Sequence, residues 1–122
     1  MTGEAIILVG HGARDPAWAA PLQRLGQRLE QAGTGAAVRI AYLEFMGPDL
    51  PSALKSLCEE GMHAIRVVPV FLGAGGHVKR DIAACVEAAR AARPRVYIEL
   101  EAPVGERSPV IEALAAAIAA GG

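Results

Sequence analysis

Four apolar runs rich in β-branched residues alternate along the chain with four stretches of helical periodicity, and this alternation limits the possible folds more than any other feature. The runs occupy residues 5–9, 38–43, 65–70 and 96–100. The first is apolar throughout, as expected of a strand covered on both faces. The second and third hold one arginine each, and the fourth alternates, which places it nearer a sheet edge. Repeated strand–helix units predict a parallel sheet, and right-handed crossovers restrict its topology. The expected architecture is therefore α/β: one flavodoxin-like domain over residues 1–122, with a four-stranded parallel sheet of order 2-1-3-4 and helices on both faces. A (β/α)8 barrel needs twice as many units.

Each helical stretch carries its own punctuation. Asp15 followed by Pro16 is an N-cap signal, and Trp18, Leu22, Leu25 and Leu29 then recur at helical spacing. Pro21 interrupts that stretch, so either its first turn is irregular or the helix kinks there. The second helix is predicted to start near Asp49, bury Leu50, Leu54 and Leu57, and stop at Gly61. The third starts near Gly76 or His77, buries Val78, Ile82, Cys85 and Val86, and ends before Pro94. The fourth starts at Ser108-Pro109 and is expected to bury Val110, Ile111, Leu114 and Ile118 before fading into Gly121-Gly122.

Composition excludes several function classes. A net charge of −1 with no basic cluster argues against a nucleic-acid partner. No apolar run reaches the roughly 18–20 residues that span a bilayer, and Met1-Thr2-Gly3-Glu4 has no basic leader region, so no membrane role and a cytoplasmic location are expected. Cys58 and Cys85 are not spaced as CxxC and fall on the helical stripes, so they read as reduced core thiols.

In a doubly wound sheet, ligands bind outside the carboxyl ends of the strands where strand order reverses. With order 2-1-3-4 that crevice lies between strands one and three. The loop after strand one reads Gly10-His11-Gly12-Ala13-Arg14-Asp15-Pro16, and the loop after strand three reads Phe71-Leu72-Gly73-Ala74-Gly75-Gly76-His77. Each sets one histidine beside glycines, which allow close backbone approach or positive φ. The second loop is neither GxGxxG nor a P-loop, so phosphate binding is weakly signalled. A neutral imidazole is a common transition-metal ligand and a base near neutral pH. A helix N-terminus favours that uncharged form, so His77, and more distantly His11, are expected to offer lone pairs. Glu44 ends the second strand at the same rim, where a carboxylate can take protons, orient an imidazole or position a substrate. Arg14, Lys79, Arg80 and Arg107 lie at or near the rim and could receive an anionic ligand or remain solvated. Asp15 and Asp81 are explained by capping and the helix dipole, and His63 has no comparable context.

Residues 8–16 and 68–82 together resemble the small sirohydrochlorin chelatases of the CbiX family. Tyr42-Leu43-Glu44 is similar to that family's carboxylate segment, and Ala102-Pro103-Val104-Gly105 to its fourth loop, so the likeness runs from about Ile6 to Ile118. The resemblance implies a class II chelatase fold, a homodimer of single units, and insertion of Co2+ or Fe2+, less readily Ni2+, into sirohydrochlorin in cobalamin or sirohaem biosynthesis. It implies that His11 is proton acceptor and metal ligand and His77 a metal ligand. Glu44 and the segment Leu72, Gly73, Ala74, Gly75, Gly76 and His77 would contact the macrocycle. No organic cofactor is required; the metal is a substrate. The stretch Glu106-Arg107-Ser108-Pro109 departs from many relatives, and the absence of a histidine-rich tract disfavours nickel.

Two rivals use the same residues. Val9-Gly10-His11-Gly12 resembles the start of a histidine phosphatase, but Gly10 stands where that family's arginine belongs, leaving a phosphohistidine without its electrostatic clamp. A non-catalytic carrier of metal or tetrapyrrole would need only the two histidines, and turnover separates it from an enzyme.

Overall fold

A computed structural model describes residues 3–121; Met1, Thr2 and Gly122, on which the leader and tail readings partly fall, lie outside them. Four strands, β1 (Glu4–Gly10), β2 (Ala37–Tyr42), β3 (Ala64–Pro69) and β4 (Tyr97–Leu100), alternate with α1 (Ala20–Gln31), α2 (Leu50–Glu59), α3 (Gly76–Ala92) and α4 (Ser108–Ala119). Short 3-10 turns cover Pro16–Ala19 and Val104–Glu106. The sheet is parallel with order β2-β1-β3-β4, as the strand–helix alternation predicts. β4 is an edge strand, and β2 is the other edge.

Side-chain alternation sorts the core into two layers. Ala5, Ile7 and Val9 of β1, with Ile65, Val67 and Ile98, face α2 and α3 and pack on Leu50, Leu54, Leu57, Ile82 and Val86. Ile6 and Leu8, with Tyr42 and Val68, face the other way onto Ala19 and Leu22. β1 is thus buried along both faces, which is why it is apolar throughout. Gly26 brings α1 close to β2, since the space beside it is already bounded by Ile40 and Val38.

The helix signals resolve locally. Asp49 caps α2 by accepting a hydrogen bond from the Ser52 N–H at 2.8 Å, and the Ser52 side chain, with this backbone bond second, lowers its carboxyl pKa. Gly61, at φ 91°, ends the helix, with Met62 N–H bonded to the Leu57 carbonyl and Gly61 N–H to that of Cys58. Asp15 caps the 3-10 turn, and the regular helix begins at Ala20, so the irregular-turn alternative holds.

One expectation about burial fails, in α4. Trp18 and Leu25, on the helical stripe of the first stretch, border the carboxyl edge of the sheet outside the core, and Trp18 is 73% exposed. In α4 no residue is buried, although Val110, Ile111, Leu114 and Ile118 were expected inside. The helix is held mainly by the 3-10 turn before it, while on the α1 side of the sheet β3 and β4 leave Arg66, Tyr97 and Glu99 exposed.

Candidate functional site

The carboxyl edge is built by backbone pairing that continues past the strand ends. Leu43 N–H bonds to the Gly10 carbonyl at 3.1 Å and Glu44 N–H to the His11 carbonyl at 3.2 Å. Gly12 has φ 95°, and a Cβ there would overlap the carbonyl of Glu44. Glycine at this position therefore lets the loops after β1 and β2 close on each other. Their closure brings the His11 imidazole and the Glu44 carboxylate together, with Nε2 2.9 Å from Oε1 and both side chains about half exposed. Phe71, following β3, meets the His11 ring edge-on with centroids 6.4 Å apart.

His11 forms part of the wall of a pocket of about 570 Å3. Trp18, Leu22, Leu25, Tyr42 and Phe71 supply most of the remaining wall. Nearby, Phe45 and Leu72 are also exposed. A concave, largely apolar wall with one imidazole on it suits a flat, hydrophobic ring system that carries its polar groups at the periphery. The pocket role of Trp18, Leu25 and Tyr42 was missed by sequence reasoning. The one available signal was Pro21, whose interruption of the helical spacing marks the irregular turn that holds Trp18.

The second loop is placed differently. Gly73, Gly75 and Gly76 all lack positive φ, and the Cβ positions of Gly73 and Gly75 meet nothing within 4 Å. Internal packing thus gives no reason for glycine at those two positions; Leu72, Gly73 and Gly75 are exposed, Ala74 is half-buried, and the Arg80 guanidinium lies against Gly76. His77 lies in the first turn of α3, 84% exposed, and pairs with Asp81 at 3.4 Å. The strand order sets its loop beside that of His11, but the direct partner of His11 is Glu44, and no group of three or more potential ligand side chains converges among the described residues. Cys58 and Cys85 are free, line a groove between α2 and α3, and have thiol pKa values raised by burial, so no thiolate serves this rim.

The rim cations divide into two kinds. Glu101, only 10% exposed, accepts hydrogen bonds from Arg66 and from Arg107. The Arg66 guanidinium holds the Glu101 carboxyl below the usual carboxylate range, with Arg107 adding to the effect against desolvation. Lys79 pairs with Glu106 at 3.0 Å. Arg14 and Arg80 form no ion pair among the described residues. The fourth loop also supports the Gly-rich one: Gly105 N–H bonds to the Phe71 carbonyl at 2.9 Å, and a Cβ on Gly105 would overlap the backbone of Leu72.

The chain is similar to known proteins in sequence and in fold. A sirohydrochlorin cobaltochelatase from Methanocaldococcus jannaschii is 42% identical over 79 residues, which is 65% of this chain and 55% of that protein. The chain spans about half the length of the curated relatives it matches. A solved CbiX protein from Marinobacter aquaeolei VT8 superposes with a TM-score of 0.81 at 29% identity, covering 94% of this chain and 93% of that one. The sirohydrochlorin chelatase SirB of Bacillus subtilis subspecies spizizenii, solved in complex with cobalt, gives 0.73 at 28% identity, covering 90% of this chain and 47% of that one. The CbiX family profile matches residues 5–120, a span that takes in all four strands and both histidine-bearing loops, and the chain belongs to the CbiX family.

Proposed function

We propose that this chain is a chelatase that inserts Co2+ or Fe2+ into sirohydrochlorin. The observation that carries the proposal is the His11–Glu44 pair, 2.9 Å apart, on the wall of an open apolar pocket at the carboxyl edge of the sheet. Insertion exchanges two pyrrole N–H protons for one divalent ion, so the site must accept protons and offer a donor to the metal. In the tautomer with hydrogen on Nε2, His11 donates to Glu44 and keeps its lone pair on Nδ1. A carboxylate behind an imidazole fixes its tautomer and ring orientation, which suits both a base and a ligand. The same carboxylate, half in solvent, can pass the released protons to water. His77, from the adjacent loop, serves as a second metal donor. Two imidazoles with open coordination positions bind a first-row ion without locking it in place, whereas a closed thiolate site would retain it. The open backbone of residues 72–76 gives the macrocycle room to lie against the second loop. The metal is a substrate, and the chemistry asks for no organic cofactor.

A second copy of the chain covers the apolar face of α4. The cytoplasm suits two unbridged cysteines, which persist as thiols in a reducing compartment. Mixing the purified protein anaerobically with sirohydrochlorin and each metal in turn, and following the visible absorption, tests the chemistry. Faster conversion than the uncatalysed mixture is expected with Co2+ or Fe2+. Macrocycle binding without acceleration would show a carrier instead.

A further inference from the structure

We propose that Arg14 and Arg80 read the peripheral carboxylates of the tetrapyrrole, while Lys79 and Arg107 do not. The inference rests on the chelatase reading and names the residues that recognise its substrate. All four cations sit at or near the carboxyl edge, and the structure separates them by what already neutralises them. Arg107 shares Glu101 with Arg66, and Lys79 is paired with Glu106. A ligand carboxylate reaching either would compete with an intramolecular one.

Arg14 is held without being neutralised. Its guanidinium carbon lies 4.7 Å from the centroid of the Phe45 ring. An aromatic face orients a guanidinium through its π electrons and leaves the in-plane N–H donors free. Those donors can still make the bidentate contact that a carboxylate prefers. Phe45 directly follows Glu44 and adopts φ 67°, a left-handed conformation that is unfavourable for a bulky residue. The strained residue therefore supports a cation three positions from His11. Arg80 approaches from the other loop. It lies one turn into α3 and folds back toward the N-terminus, so that its guanidinium would stand 3.1 Å from a Cβ at Gly76. The missing side chain at Gly76 thus leaves room for the cation beside the Gly-rich loop. Two unpaired guanidinium groups flank the edge on which a carboxylate-ringed macrocycle would rest.

Equilibrium binding of metal-free sirohydrochlorin, followed by its fluorescence, tests this apart from turnover. Arg14→Gln and Arg80→Gln should each weaken binding roughly fivefold, the upper end for an exposed charge pair. Both should flatten the salt dependence of binding, because screening acts on the charges removed. Arg14→Lys should recover part of the loss, and Lys79→Gln should bind within about twofold of the parent. The macrocycle KM should follow the same order while the metal KM stays unchanged. Parent protein that inserts metal, with binding indifferent to Arg14 and Arg80 or equally sensitive to Lys79, would overturn the inference. Parent protein that binds the macrocycle through these arginines but never inserts metal would instead overturn the chelatase reading.

Discussion

Gly12 decides where the imidazole of His11 ends up. Its φ of 95° and the Glu44 carbonyl occupying its Cβ position mean that no other residue fits without parting the two loops. Gly12→Ala should therefore destabilise the fold by about 1–3 kcal/mol and lower insertion through loss of the His11–Glu44 contact, checked by denaturant titration beside the absorption assay. His11→Ala separates chemistry from folding. Because His11 is half exposed, stability should barely change, whereas insertion should fall on the order of 10²-fold or more, as for a lost general base. Near-parental turnover in that variant would remove His11 from the mechanism. Direction with pH follows from the same role. An imidazolium has no lone pair for a proton or a metal, so insertion should decline toward acid; a flat profile would exclude imidazole chemistry. Glycines beside the two histidines were visible in the sequence, but their separate reasons were not. Gly12 answers to a clash between loops 32 residues apart in sequence, set by the β1–β2 register, while Gly73 and Gly75 answer to nothing inside the protein.

Among the elements, what was legible depended on whether a signal was local or needed a neighbour. Apolar runs and caps are local, so the four strands, the order β2-β1-β3-β4 and the ends of α2 followed from the sequence. Periodicity says that a helix has an apolar stripe without saying what the stripe meets. The start of α1 and the turn before it border the carboxyl edge, so Trp18 and Leu25 line a pocket without joining the core, whereas Leu22 does both. The fourth loop shows the same limit: Glu101 follows β4 as an ordinary acidic residue, and only the fold brings Arg66 and Arg107 to it. Its lowered carboxyl pKa gives a signed prediction. The ionised network adds its full stability above the ordinary carboxylate value, near 4.3, and loses it as pH falls through the lower folded value. Glu101→Gln should cost roughly 1–2 kcal/mol at neutral pH, and the difference from the parent should narrow in acid. Equal differences at pH 7 and pH 3 would show that charge does not hold this loop.

At the scale of the whole molecule, α4 is the element that one copy of the chain leaves unsatisfied. The stretch 113–120 carries no charge, Ile118 is 78% exposed, and Ile111 and Leu114 are open as well. A helix in water normally shows a charged face, and α4 is anchored mainly through the 3-10 turn before it. Its contacts within the chain leave that apolar face open. A second copy removes the conflict: two α4 helices, rich in alanine and therefore able to approach closely, can bury their isoleucines and leucine against each other about a two-fold axis, the commonest closed symmetry. Light scattering at micromolar concentration should then give twice 12.6 kDa. Replacing Ile111 and Ile118 together by lysine should return the chain to a monomer that keeps its circular dichroism, since neither side chain is part of the core. A parent mass near 12.6 kDa would show that α4 faces water or some other partner, and would leave the His11–Glu44 chemistry untouched, because every residue of that pair and its pocket comes from one chain.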